Sequence, residues 1–189
     1  MDGDLRIDGA RVSLATFGER HLEDPAYMSW LHDYEVVKTI GRPEYLTSAS
    51  YEDVATYVRR VSKSPDDMFF AIHLREGETF VGTAKAGHID REAGIADIGI
   101  MIGSRAHWGQ GLATDALRAL CRHMFEKAGM RKLTCGVMAN NPAMVRVFEK
   151  LGFRREATLR RQIPFEGGFL DHILLGCFAD EFDEKGIGV

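Results

Sequence analysis

Cysteine is scarce in this chain and does not cluster. Cys121, Cys135 and Cys177 stand alone, with no C-x-x-C pair among them. That excludes a disulfide framework and a zinc site, and fits small buried hydrophobes kept reduced. No metal is expected. Long apolar runs are missing too. No stretch reaches the ~18 residues a membrane span needs, and the opening MDGDLRIDGARVSLATF has no apolar run of the signal-peptide kind. The expectation is a cytoplasmic protein with no membrane partner. An excess of positive charge is also absent. Lys and Arg number 24 against 28 Asp and Glu, so the net charge is −4 and there is no overall basic field to attract nucleic acid. Internal repeats, low-complexity segments and linkers are lacking as well.

What remains is 189 residues, 45% of them hydrophobic, which suits one compact domain over 1–189 with a core from about 12 to 178. The first ten residues read as a frayed lead-in. Val12, Leu14 and Phe17 suggest a strand. Asp24-Pro25 reads as an N-cap followed by proline at the first helical position, with Leu22, Ala26, Trp30 and Leu31 as that helix's buried stripe. Gly41-Arg42-Pro43 breaks the chain. Ser50 and Asp53 resemble a capping box opening a second helix, with Val54, Tyr57, Val58 and Val61 at helical spacing. Three strands follow, turning at Glu76-Gly77-Glu78 and at Asp90–Glu92, which makes an antiparallel meander.

The rest of the chain is organised around Gly94–Phe125. An apolar strand holding Ile95, Ile98, Ile100, Met101 and Ile102 runs into a turn, Ser104–Gly111, and then into a helix. Its apolar residues recur as Leu112, Ala116, Leu120, Met124 and Ala113, Leu117, Cys121, Phe125. A glycine loop at a helix N-terminus suits an anion, because free N–H groups and the helix dipole both face it. The loop lacks the G-x-x-x-x-G-K-[ST] of phosphate-binding NTPases. It also departs from G-x-G-x-x-G, having Thr114 at the third glycine position. By itself it leaves two readings open, a ligand loop or a tight turn. A strand over Lys132–Met138 follows. Asn141-Pro142 then starts a helix with Met144, Val147, Phe148 and Leu151, ended by Gly152. Phe153–Ile163 and Phe169–Phe178 read as a last pair of strands. The order is β-α-α-β-β-β-α-β-α-β-β, an α/β (α+β) mixed sheet with helices on its faces.

Two motifs in this order, Ala106-His107-Trp108-Gly109-Gln110-Gly111 and Asn141…Phe148…Gly152-Phe153, resemble those of the GNAT superfamily of acyl-CoA N-acyltransferases. The resemblance spans about Val12 to Phe178. The W-G-x-G-x-A-T-[ED]-A form of the loop is similar to the branch of ribosomal-protein N-terminal acetyltransferases, which also has relatives acting on small amines and amino sugars. It implies a mostly antiparallel central sheet splayed at the cofactor site, acetyl-CoA as cosubstrate, and an amine acceptor that is a small molecule or a protein N-terminus. A homodimer stays open. It further implies that Ile100, Met101 and Ile102 hold pantetheine by their backbone. The N–H groups of His107, Gly109, Gln110, Gly111, Leu112, Ala113 and Thr114 would hold the pyrophosphate. Asn141 would bond the pantetheine arm, with Arg146 and Phe148 on the flanking helix. Two positions depart from the pattern. Ala106 stands where Gln or Arg is usual, with Arg105 beside it. Phe148 stands where many members carry a tyrosine acid.

The implied reaction is direct attack of an amine on the thioester, which needs a base or a water relay for the ammonium proton. Asp97 is the candidate catalytic residue, since a carboxylate on so apolar a strand is costly to bury idly. Its other reading is a partnered structural carboxylate. His88 is the alternative base. Trp30, Tyr34, Glu44, Tyr45, Arg160 and Phe165 are candidates for the acceptor side. The competing reading is a catalytically silent CoA-binding regulatory module, which Phe148 favours.

Overall fold

The computed structural model describes residues 5–40 and 49–184. Eight strands form one sheet: β1 (Arg6–Asp8), β2 (Val12–Thr16), β3 (Met68–Leu74), β4 (Phe80–Asp90), β5 (Ile95–Ile102), β6 (Lys132–Met138), β7 (Arg154–Phe165) and β8 (Gly168–Phe178). Their spatial order is β1-β2-β3-β4-β5-β6-β8-β7. All neighbours are antiparallel except β5 and β6. The helices are α1 (Glu19–Leu22), α2 (Pro25–Leu31), α3 (Tyr34–Val37), α4 (Tyr51–Lys63), α5 (Leu112–Glu126) and α6 (Pro142–Glu149). The mixed sheet is the one expected from the element string, and its mostly antiparallel order is the one the family resemblance implied.

Two expectations change. Part of the lead-in is ordered: Arg6–Asp8 forms β1, pairing with β2 from Arg6↔Ala15 to Asp8↔Ser13. The first helix is three short ones. Asp24 does cap α2, accepting from the Ala26 N–H at 2.9 Å, but Asp33 then caps a fresh start, accepting from the Glu35 N–H at 2.9 Å. Each new cap turns the chain before the apolar stripe completes a longer helix. The expected break at Gly41-Arg42-Pro43, and Glu44 and Tyr45, lie outside the described residues. The Ser50–Asp53 capping box is present, with Ser50 Oγ accepting from the Asp53 N–H at 3.1 Å.

Alternation along the strands separates two cores. On one face, α5 and α6 cover Val12, Leu14, Phe70, Ile72, Ala84, Ala86, Ala96, Ile98, Leu133 and Cys135. Leu117 and Leu120 of α5 are fully buried there, and trimming either to alanine costs about 3 kcal/mol. On the other face, residues of α1, α2, α3 and α4 pack with Phe17, Ala71, Phe69, Phe80 and Met101. His21 is buried among Phe17, His73 and Phe80, and loss of water pulls its pKa down to about 4, so it stays neutral. All three cysteines are free and buried. Desolvation pushes the Cys177 thiol up to about 12 and drives Cys121 and Cys135 upward as well. They are inert packing groups, as their scatter suggested.

Candidate functional site

The site begins where two strands part. β5 and β6 pair in parallel over three positions only, Ile95↔Lys132, Ala96↔Leu133 and Asp97↔Thr134. Beyond them Ile98–Ile102 and Cys135–Met138 have no ladder with each other, although β5 continues with β4 up to Gly82↔Ile102 and β6 with β8 up to Met138↔His172. The facing edges of β5 and β6 therefore carry backbone N–H and C=O groups with no strand between them. Such edges take an extended ligand as an added strand.

A loop sits at the C-terminal end of β5. A 3-10 turn, Arg105–His107, is pinned by Ser104 Oγ to His107 Nδ1 at 2.7 Å, and the Trp108 indole N–H donates to the Ile102 carbonyl at 2.7 Å. Gly109 (φ 72) and Gly111 (φ 79) then turn through the left-handed region, which favours glycine. Gly111 is the N-cap of α5 with no side-chain cap. The N–H groups from Gly109 to Thr114 take no acceptor among the described residues. Six free donors at the positive end of a 15-residue helix form a cradle that suits an anion.

Two anchors of that cradle escape a reading by motif. Asp115, 8% exposed, accepts from the backbone N–H groups of Ala10, Arg11 and Val12 at 3.0, 2.7 and 3.0 Å. It ties the β1–β2 turn to the start of α5. Arg11 then reaches the loop and donates to the Gln110 carbonyl. A cation arrives at the cradle from a strand turn some hundred residues away in sequence. Arg105 instead lies 3.4 Å from Asp33 and over the Trp108 ring at 5.8 Å.

Asp97 stands at the apex of the splay. Its Oδ2 accepts from Thr134 Oγ1 at 3.3 Å. Burial pushes its carboxyl above the usual carboxylate range, while the Thr134 hydroxyl and the charges of His88, Lys85 and His172 pull the other way. Asp97 faces the same side as Gly99 and Met101. One register row crosses that face, Gly87–Asp97–Thr134–Gly176. Two ion pairs border it: Lys85–Asp67 at 2.7 Å beside Gly87, and Lys132–Glu156 at 2.6 Å over Gly176. Above Gly99 the space is open, with nothing within 4 Å of where a Cβ would be. His88 lies in the β4 bulge, exposed and with φ 50.

The remaining residues expected at the site divide. Ile100, Met101 and Ile102 line the open stretch of β5, partly buried. Asn141 caps α6, accepting from the Met144 N–H at 3.2 Å, and stands just beyond the open end of β6. Arg146 is exposed on α6. Phe148 is turned into the core, 3% exposed, with its ring edge-on to Phe153 at 5.0 Å. Tyr34 reaches across to the β7–β8 tip, its hydroxyl donating to Glu166. Trp30 is buried over Gly103. Among the described residues no group of three or more His, Cys, Asp or Glu side chains could hold a metal ion, and no helix is long and apolar enough to cross a membrane.

The family model of the acetyltransferase (GNAT) domain matches residues 11–154. An uncharacterized N-acetyltransferase, p20 of Bacillus licheniformis, is 25% identical over 168 residues, 88% of this chain and 94% of that protein. The spermidine N-acetyltransferase from Vibrio cholerae, solved with CoA and spermine, superposes with a TM-score of 0.82 at 16% identity, covering 91% of this chain and 98% of that one. RimL, a ribosomal L7/L12 alpha-N-protein acetyltransferase solved with CoA, gives 0.80 at 17% identity over 94% and 99%. With the family model spanning most of the chain, and the cradle and the splay both inside the matched segment, the protein belongs to the GNAT family of acetyltransferases.

Proposed function

We propose that this acetyltransferase uses acetyl-CoA and transfers the acetyl group to a primary amine by direct attack. The observation that carries the reading is the shared placement of three features. The open edges of β5 and β6 lead from the loop at Gly109–Thr114 down to the lone carboxylate of Asp97. A diphosphate on the loop would meet six backbone donors. A pantetheine arm would complete the ladder left open on Ile100–Ile102, and the thioester would arrive near the apex. An N–H of this strand, beside Met101, would meet the developing oxyanion. Asn141, Arg146 and the edge of α6 flank the arm. Arg11 supplies the charge that Ala106 lacks.

Asp97 draws in the ammonium of the acceptor. Its flanking lysines are each paired with another carboxylate, Lys85 with Asp67 and Lys132 with Glu156. Phe148 has no hydroxyl and is buried, so no side chain of α6 protonates the leaving sulfur from that position. A thiol of about pKa 8.5 leaves readily as thiolate. The acceptor classes that fit are a protein α-amine, a small amine and an amino sugar, all of which present one ammonium.

A test incubates the purified protein with acetyl-CoA and a panel containing a polyamine, an amino sugar and a peptide with a free α-amine. Free CoA thiol and the mass of the acetylated product are read together. Transfer to at least one member is expected. Binding of CoA without any transfer supports instead a silent CoA-binding module, the reading that Phe148 favours. Absence of CoA binding removes both.

A further inference from the structure

We propose that His172 of β8 is the residue that takes the proton from the incoming amine, working across the splay from Asp97. The inference rests on the acetyl-transfer reading above and names a group that neither motif contains. His172 pairs with Met138 at the far end of β6, yet its ring folds back over Gly136. A Cβ at residue 136 would lie 2.2 Å from His172 Nε2 and 2.6 Å from Cε1. Only glycine leaves room for the ring there. Gly136 is two residues beyond Thr134, the partner of Asp97, so the ring stands roughly 7 Å along the strand from the carboxylate. Between them lies the open floor at Gly99. An amine there meets a carboxylate on the β5 side and an imidazole on the β6 side.

The lysines and the other carboxylates around this face are committed elsewhere. Lys85 is paired with Asp67, and Lys132 with Glu156. Asp171, next in sequence, accepts from the Arg161 N–H. His88 is exposed in the bulge and is the competing base, since its charge acts on Asp97 as that of His172 does. His172 is half-buried, and its ring makes no hydrogen bond among the described residues. Asp97 is the reverse case: its carboxylate is held by the Thr134 hydroxyl at 3.3 Å.

The proton balance is simple. An ammonium held at Asp97 gives one proton to the neutral imidazole. The nitrogen lone pair forms the N–C bond at the thioester carbonyl, whose π pair moves onto oxygen. When that pair returns, the C–S bond breaks and its electrons leave on sulfur. The second nitrogen proton ends on the thiolate, and the imidazolium returns its proton to solvent. The products are the amide and free CoA thiol.

Two measurements test this. First, the imidazole NMR signal of His172 is titrated in the wild-type protein and in Asp97→Asn. If the two groups share one cavity, removing the carboxylate lowers the titration midpoint of His172. An unchanged midpoint overturns the proposal, whether or not an acceptor is known. Second, kcat/KM is followed against pH with acetyl-CoA and the best amine of the panel. His172→Gln is expected to lose roughly 100-fold and the acid limb of the profile, while CoA affinity and melting temperature hold. Added imidazole is expected to restore part of the rate to His172→Ala. A variant with wild-type rate and the same acid limb overturns the assignment. A wild-type protein that transfers to no amine, but in which Asp97→Asn shifts the His172 midpoint, sinks the acetyl-transfer reading and leaves the coupled pair.

Discussion

At the scale of single residues, Asp97 carries a cost that its surroundings do not remove. Burial raises its carboxyl above the ordinary carboxylate range. A carboxyl raised in the folded state favours the fold when protonated, so that stabilisation is present below the unfolded value near ~3.9 and is lost as pH rises through the folded value. At neutral pH the ionised group therefore strains the fold. Asp97→Asn keeps an acceptor for Thr134 and removes the charge. Its melting temperature is expected to exceed that of wild type at pH 7 and to converge with it below about pH 4, where both side chains are uncharged. An equal or lower melting temperature at pH 7 would show that the carboxylate is a structural partner. Sequence pattern could find this residue, because a single acid interrupts an apolar strand. It could not find His172 or Arg11. Neither belongs to a motif, and each reaches the site through a fold-back: a ring over Gly136, and a turn tied to Asp115. The one sequence trace of His172 is the glycine opposite it, and that glycine means nothing until β6 and β8 are known to be neighbours.

At the scale of elements, the loop before α5 shows why local patterning worked where it did. Strand, glycine turn and helix are contiguous, so their order is readable in one stretch. α1, α2 and α3 are the contrary case: Asp24 and Asp33 each restart the chain, and helical spacing over Leu22–Leu31 blurred them into one element. β1 escaped for another reason. Three polar-flanked residues have no signal of their own, and their pairing depends on the β1–β2 turn held by Asp115. The loop itself offers a direct test. Gly111 has φ 79, and a Cβ there meets only Arg11 Nη1 at 4.0 Å. Space is not the constraint; backbone strain is. Gly111→Ala is expected to lose about 1 kcal/mol in urea unfolding. The same change should weaken CoA binding by tenfold or more, because relieving φ rotates the N–H groups of Gly111 and Leu112 out of the cradle. Undiminished CoA affinity would mean that the loop is a turn and nothing more.

At the scale of the whole molecule, the one sheet has two halves joined by a short seam. β1 through β5 carry α1–α4 on one face; β6 carries the β7–β8 hairpin; between the halves stand three register pairs, with α5 and α6 over the other face. Such a seam stays weak unless something fills the splay. A ligand lying as an extra strand would bond to the free edges of β5 and β6 together, and one resting only on the loop would not. Amide hydrogen exchange separates these cases. Adding CoA is expected to slow exchange at Gly109–Thr114, along Ile98–Ile102, and at the edge amides of Cys135–Met138, with stabilisation growing as RT ln(1 + [L]/Kd). 3′,5′-ADP, which carries phosphates but no pantetheine, should protect the loop and leave both strand edges as they were. Protection of the edges by the nucleotide alone would place the arm elsewhere. Protection of β5 without β6 would mean that the arm lies along one edge, and that the second half of the sheet, with His172 on it, meets the acceptor rather than the cofactor.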